Sequence, residues 1–218
     1  MKNIPRIFIG DNINTGSIIP VDKSVAHYLS HVMRRNDCLV FGDGNEYVAN
    51  LNPDGKTMTI GDKTDHIDPS NDITLYFAPI KRLDDMLNMA TQMGVKTFVP
   101  VITERTVANH INWERMKKIV IEAAEQSNRN SVPNITAPIK FNELPFDKLV
   151  FADERAAYGA DIPRRYNDKK NILVGPEGGF SNTEFDALDK NGALGLSLGK
   201  TILRAEVAAP IAISKVLP

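Results

Sequence analysis

Apolar and polar residues change their rhythm once along this chain, near residue 70. After Ile73, short apolar runs alternate with longer stretches whose apolar positions recur at helical spacing. Ile73-Thr74-Leu75-Tyr76-Phe77-Ala78, Val95 to Val101, Lys148 to Ala152, Asn171 to Val174 and Leu194 to Leu198 read as strands. Leu83 to Met93 and Leu203 to Leu217 read as helices. So does a long stretch from Asn112, whose Met116, Ile119, Val120, Ala123 and Ala124 share one face. Asn112 is a good N-cap, and Ser181-Asn182-Thr183-Glu184 carries the reciprocal capping pattern that opens a further helix. Strands alternating with helices predict an α/β domain with a mostly parallel sheet.

Before residue 70 the pattern predicts a small β structure. Cys38 to Phe41, Glu46 to Leu51 and Thr57 to Ile60 read as strands, separated by Gly42-Asp43-Gly44 and Asn52-Pro53-Asp54-Gly55, both rich in turn formers. One short helix interrupts them. Val25, Leu29, Val32 and Met33 form its apolar face, and His27, His31 and Arg34 lie opposite. The polar segment Asp65 to Asp72 holds Pro69, so we expect one domain over residues 1–70 and a second over 73–218.

Composition narrows the possibilities. With 218 residues the chain can bury two modest cores, and a net charge of -1 argues against a surface coated in positive charge for nonspecific nucleic-acid binding. A local basic patch remains compatible with that sum. No apolar run approaches bilayer length, and Met1-Lys2-Asn3-Ile4-Pro5-Arg6 lacks the apolar core of a signal peptide. The one cysteine, Cys38, sits in an apolar run and reads as a buried thiol; a cytoplasmic location is expected. Trp113 reads as a core residue, and Lys117 and Lys118 as solvated.

Two loops stand out for chemistry. Gly175-Pro176-Glu177-Gly178-Gly179 follows the strand ending at Val174, and ligands of parallel α/β domains bind beyond the carboxyl ends of strands. Taken alone, the loop is as well explained by a tight turn into the capped helix. It lacks both the dinucleotide and the P-loop glycine spacing. Leu198-Gly199-Lys200-Thr201-Ile202-Leu203-Arg204-Ala205-Glu206 is a second strand end leading into a helix, with Arg204 and Glu206 near the helix start. Taken alone, that pair reads as helix capping. Two such loops in one domain favour a bound small molecule.

These loops resemble the signature loops of the RsmE methyltransferases. Three further stretches agree in order: Pro5-Arg6-Ile7-Phe8 with His27 to Arg34, Ala90-Thr91-Gln92-Met93-Gly94-Val95, and Glu125 to Pro133. The resemblance implies a SPOUT-type parallel sheet with a C-terminal trefoil knot, preceded by a small PUA-like β-barrel that binds RNA. It implies S-adenosylmethionine as cofactor, held by Val174, Gly175, Pro176, Glu177, Gly178, Gly179, Leu198, Gly199, Ile202, Leu203 and Arg204. It further implies methylation of N3 of a uridine in 16S ribosomal RNA of the small subunit, by a homodimer that needs no metal. The apolar face of the last helix, with Val207, Ile211 and Val216, is the candidate dimer contact.

Uridine N3 carries a proton and is a poor nucleophile until that proton leaves, so the site needs a base and a group that holds negative charge. Glu206 is the candidate base and Arg204 the candidate stabiliser. Arg6, His27, Arg34, Arg35 and Arg129 are the candidate RNA contacts; without the resemblance, each would read as solvated surface. A bulky side chain at Gly178 or Gly199 is expected to abolish cofactor binding. The chain departs from the family at Val207, where threonine is usual, at Gln92 (usually glutamate) and at Met89 (usually lysine). An RNA-binding protein of the same fold that has lost catalysis is the alternative these departures suggest, and retention of both cofactor loops opposes it. A nicotinamide-dependent oxidoreductase is disfavoured by the missing glycine fingerprint.

Overall fold

The computed structural model describes residues 4–42, 44–69, 71–107, 111–162 and 169–217. Asp43, the middle of one predicted turn, lies outside them. Two compact units are present: Met1–Ser70 with Ile121–Val132, and Asn71–Val120 with Pro133–Pro218. Nothing in the residue pattern signals that Ile121–Val132 sorts with the N-terminal unit.

The N-terminal unit comprises β1 (Arg6–Phe8), β2 (Ile18–Pro20), α1 (Lys23–His27), β3 (Asp37–Phe41), β4 (Glu46–Leu51) and β5 (Thr57–Lys63). The strands form one curled mixed sheet in the order β1-β3-β4-β5-β2, with β1 parallel to β3 and the other pairs antiparallel. Among the described residues β1 and β2 are the edges of this sheet, which curls as a half-barrel. Each edge strand is only three residues long, and Pro20 has no N–H to give to a further ladder. Leu29, Cys38, Val40, Ala49, Met58 and Ile60 pack the core, where the Cys38 thiol lies 3.9 Å from Met58 Sδ.

The predicted short helix is present, but it widens after α1 into a π-type turn over Tyr28–Met33. A wider turn advances each residue through a smaller angle. Leu29 therefore stays buried while Val32, expected on the apolar face, is exposed. Arg34 closes the turn in a left-handed conformation (φ 53, ψ 45), and the Arg35 N–H donates to the Leu29 carbonyl at 2.9 Å.

The C-terminal unit holds β6 (Ile73–Phe77), α2 (Leu83–Gln92), β7 (Val95–Ile102) and the start of α3 (Trp113–Gln126), followed by β8 (Asn134–Ile135), β9 (Ile139–Lys140), β10 (Leu149–Ala152), β11 (Asn171–Val174), α4 (Asn182–Lys190), β12 (Leu194–Leu196) and α5 (Ala205–Val216). All its strand pairs are parallel, in the order β12-β10-β11-β6-β7-β8, with β9 sharing the edge of β7. Val150, Phe151, Ile172 and Leu173 are fully buried, the run expected of inner parallel strands covered on both faces. Phe141, Phe146, Phe180 and Phe185 pack with Phe151 and Leu173 against one another. Asn112 caps α3 as its sequence suggests, its Oδ1 accepting from the Arg115 N–H at 3.0 Å. Trp113 is exposed at the first position of α3, which corrects its reading as core: position N1 faces solvent, before the buried stripe begins at Met116.

Candidate active site

The carboxyl ends of four parallel strands converge on a cavity of about 340 Å³. Lys81 and Arg82 follow β6. Ala152, Asp153 and Glu154 stand at the end of β10. Val174 to Glu177, Gly179 and Phe180 come from the end of β11, and Leu198, Gly199 and Thr201 to Glu206 follow β12. Ligand sites of open α/β sheets form in this place, because the loops beyond the strand ends leave a crevice that no helix fills.

The loop after β11 is shaped by backbone demands. Gly179 has φ +67, a conformation that residues with a side chain rarely adopt, and a Cβ there would have to displace the Glu154 carboxylate, 2.2 Å away. Gly175 lies over the Phe180 ring, where a Cβ would meet Cζ at 3.0 Å. The loop then enters α4 through the expected capping box: Ser181 Oγ accepts from the Glu184 N–H at 3.3 Å, and Glu184 Oε2 accepts from the Ser181 N–H at 2.9 Å. The tight turn and the cavity wall are thus one structure.

A segment after β7 pins this loop. Arg105 Nη1 donates to the carbonyls of Gly178 at 2.9 Å and Phe180 at 3.3 Å, and the Glu104 N–H donates to Glu184 Oε1 at 2.9 Å. Gly178 therefore turns toward Arg105 and does not line the cavity. Its Cβ position meets only the Arg105 side chain, at an ordinary 3.5 Å. The other candidates, Val174, Gly175, Pro176, Glu177, Gly179, Leu198, Gly199, Ile202, Leu203 and Arg204, are brought together on one surface with Glu206.

Glu206 stands in the first turn of α5, where the helix dipole favours a negative charge. It is 5% exposed. Its Oε1 lies 3.8 Å from Arg82 Nε and 3.9 Å from Arg204 Nη1. Glu177 faces the other way in part, its Oε1 accepting from the Lys81 N–H at 2.9 Å. Asp153 is committed to Arg155, from whose main chain and guanidinium it accepts at 2.7 to 3.1 Å. The Asp189 carboxyl, held by the same guanidinium, is pushed below the usual carboxylate range.

The five candidate RNA contacts divide. His27 and Arg34 are exposed, and the His27 ring stacks on His31 with centroids 4.6 Å apart. Arg35 is half-buried and paired with Asp37, its Nε donating to Oδ1 at 2.9 Å. The side chains of Arg6 and Arg129 are buried and turned to groups within the protein. Arg6 donates to Asn128 Oδ1 at 2.9 Å, to the Arg129 carbonyl at 2.9 Å and to Asn130 Oδ1 at 2.7 Å, and it pairs with Glu46 at 3.2 Å. Burial pushes both guanidinium groups below the ordinary arginine value. The stretch Glu125 to Ser131 is a tether within the N-terminal unit. Glu125 Oε1 accepts from the Phe8 N–H at 3.0 Å, and Asp68 accepts from the N–H groups of Asn130 and Ser131 at 2.7 and 3.0 Å.

With this geometry in place, comparison with known proteins is informative. The RNA methyltransferase domain family matches residues 68–217. The ribosomal RNA small subunit methyltransferase E of Rickettsia conorii is 35% identical over 97% of this chain and 94% of its own length. The chain belongs to the methyltransferase E family. The Aquifex aeolicus methyltransferase E is 28% identical over 93% of this chain and 95% of its own. The crystal structure of the Neisseria gonorrhoeae methyltransferase E, bound to S-adenosyl methionine, superposes with a TM-score of 0.84 at 26% identity, covering 97% of this chain and 96% of that one.

The structure places more groups at the cavity than the sequence suggested. Lys81, Arg82 and Glu154 were missed, although each stands at a strand's carboxyl end, where the same rule that singled out the two glycine loops points. Arg105 carries no local signal; its role is visible only once β7 and β11 lie in one sheet. An adjoining cavity of about 560 Å³ shares Arg82, Ile202, Leu203, Arg204 and Glu206 with the first and adds Asp85, Asn88, Met89 and Val207. Two of the departures from the family, Met89 and Val207, line this second space. The third, Gln92, donates to Asn88 Oδ1 at 2.6 Å.

Proposed function

We propose that this protein uses S-adenosylmethionine to methylate N3 of a uridine in the 16S RNA of the small ribosomal subunit. The observation that carries the reading is the convergence of four strand ends on one cavity, in a chain whose Neisseria relative was crystallised with S-adenosyl methionine. The residues fit that molecule. The cavity falls within the range of about 300–1,000 Å³ typical of ligand sites. Ala152, Val174, Leu198 and Leu203 offer apolar surface for a purine, while Glu154 and Glu177 offer carboxylates to a sulfonium and an ammonium. Gly199 lines the same space, and a Cβ there would project into open volume that a ligand can use.

S-adenosylmethionine supplies an electrophilic methyl group on sulfur. The protein supplies the rest. Glu206 accepts the uridine N3 proton, and Arg204 holds the charge that gathers on the uracil oxygens as the proton leaves. Burial of Glu206 keeps water from competing for it, and fixed positioning of the two reactants lowers the barrier further. The same reading makes the C-terminal loops a trefoil knot and the N-terminal unit a PUA-like RNA-binding module. It makes the molecule a metal-independent, cytoplasmic homodimer, joined through the exposed Val207 and the half-buried Ile211 and Val216 of α5. His27, Arg34 and Arg35 are then the RNA contacts, as positioning phosphate contacts rather than readers of sequence.

Two measurements test this. Calorimetry is expected to show S-adenosylmethionine binding and no NAD binding. Small subunits from cells lacking the gene, incubated with the protein and cofactor, are expected to gain one N3-methyluridine in 16S RNA by mass mapping. Methylation at another atom or base would overturn the assignment.

A further inference from the structure

The two neighbouring cavities meet at one wall, and its chemistry is unlike that of the other charge pairs in the same unit. Glu206 Oε1 has a guanidinium at 3.8 Å from the loop after β6 and another at 3.9 Å from the loop before α5. Both separations exceed hydrogen-bond reach. The Glu206 side chain is 7% exposed, whereas those of Arg82 and Arg204 are 61% and 70% exposed. Arg155, by contrast, closes to 2.7 Å on both Asp153 and Asp189. The wall thus holds a sheltered acceptor with two sets of donors beside it, and neither guanidinium has closed on the carboxylate.

We propose that this trio reads the edge of the substrate base, and that Arg82 is a specificity-determining residue. The inference rests on the methyltransferase reading above. Uracil presents an acceptor, a donor and an acceptor along its pairing edge: O2, N3–H and O4. Glu206 accepts from N3–H while Arg82 and Arg204 donate to the two oxygens. Cytosine presents an acceptor at N3 and a donor at its amino group. Its N3 lone pair faces the Glu206 lone pairs, and its amino group faces a guanidinium, so two polar contacts are left unmade. The base is turned out of its stack into the second cavity, where Asn88 and Met89 lie beside it, while the first cavity keeps the cofactor.

The reaction balances on this wall. Glu206 takes the N3 proton. The N3 lone pair forms a bond to the methyl carbon as the carbon–sulfur bond breaks, and that electron pair passes to sulfur. The products are N3-methyluridine, S-adenosylhomocysteine and a protonated Glu206, which returns its proton to solvent. Arg82 and Arg204 hold the charge on O2 and O4 in between, which makes the proton easier to remove.

The test uses the full chain and small subunits from cells lacking the gene, with a matched substrate bearing cytidine at the methylated position. Arg82→Ala and Arg82→Gln are expected to lower kcat/KM on uridine by about 10- to 100-fold, the loss of one hydrogen bond to a charged group. S-adenosylmethionine affinity and melting temperature should hold, and the uridine-to-cytidine preference should shrink. The rate of both variants should also keep climbing to higher pH than the wild type, because the N3 proton is no longer loosened from that side. Among the described residues, the other charged groups facing this space are Lys81, Asp85, Asp153, Glu154 and Glu177, which the variants leave in place. Arg82→Lys should recover part of the rate. Unchanged kcat/KM and base preference in Arg82→Ala would overturn the inference while the wild-type activity stands. Rate loss accompanied by lost cofactor binding, with an unmoved pH profile, would also overturn it and mark Arg82 as structural. A wild-type protein that transfers no methyl group would sink the methyltransferase reading itself.

Discussion

Each unit buries a glutamate beside arginine, and the two arrangements differ in how tightly they close. In the N-terminal unit Glu46 meets Arg6 at 3.2 Å, both side chains are 6% exposed, and Glu46 Oε1 also accepts from Thr64 Oγ1 at 2.8 Å. Arg6 further donates to three groups in the 128–130 segment. In the C-terminal unit Glu206 is equally buried, yet its arginines stop short of contact and remain largely in solvent. A buried ion pair repays its desolvation only when its hydrogen bonds are filled from within. The first arrangement fills most of them, leaving only Arg6 Nε and Glu46 Oε2 of the pair without a hydrogen bond, and it fixes a fold. The second leaves two guanidinium groups largely in solvent, and on the reading proposed above they are free to meet a polar substrate.

Replacing each member separates the two roles, and the largest effect is expected at Glu206. Glu206→Gln should lower methyl transfer to unmodified small subunits by about 10²- to 10⁴-fold, the usual worth of a general base, with little change in urea midpoint. A midpoint shift as large as the rate loss would make Glu206 a second structural pair and erase the contrast. Arg6→Met should do the reverse. Stranding Glu46 should cost roughly 3–5 kcal/mol of folding stability by urea denaturation, with the methylation rate per folded molecule kept. Equal RNA affinity in the folded fraction is also expected, since Arg6 has no guanidinium surface left to offer.

Smaller effects sharpen the same distinction on the surface. Arg34→Ala should weaken RNA binding only a few-fold and lower its logarithmic salt slope by about 0.7–0.9, one phosphate contact. An unchanged slope would leave Arg34 as solvated surface. Cys38 should show the least. Burial pushes its thiol up to about 12, so it should ignore thiol reagents at neutral pH until the chain unfolds. The sign follows. The unfolded thiol ionises near 8.5 and the folded one does not, so stability falls as pH rises from about 8.5 toward 12.

Most helices and strands could be read from the residues because amphipathic period and capping are local properties. Asn112, the Ser181–Glu184 box and the inner strands β10 and β11 announce themselves within a few positions. What could not be read depends on partners far along the chain. The three-residue edges β1 and β2 and the two-residue strands β8 and β9 are too short to show a period. The π-type turn at Tyr28–Met33 hides behind an ordinary helical pattern, so Val32 was placed on the wrong face. The two cavity loops were legible as glycine-bearing strand ends. The orientation of Gly178 was not, because Arg105, about seventy positions earlier, sets it. Arg129 looked like a loop cation because sequence shows charge without showing burial.

The cavity wall draws on residues from Lys81 to Ala208, so its first and last pieces are separated by nearly the whole C-terminal unit. The cavity exists only when β6, β10, β11 and β12 have come together in the sheet. A ligand bound there acts on the folding equilibrium as a clasp. At a hundred times its dissociation constant it would add about 2.7 kcal/mol to the native state. The supply of ligand in a cell would then set how long the finished protein lasts as well as how fast it works.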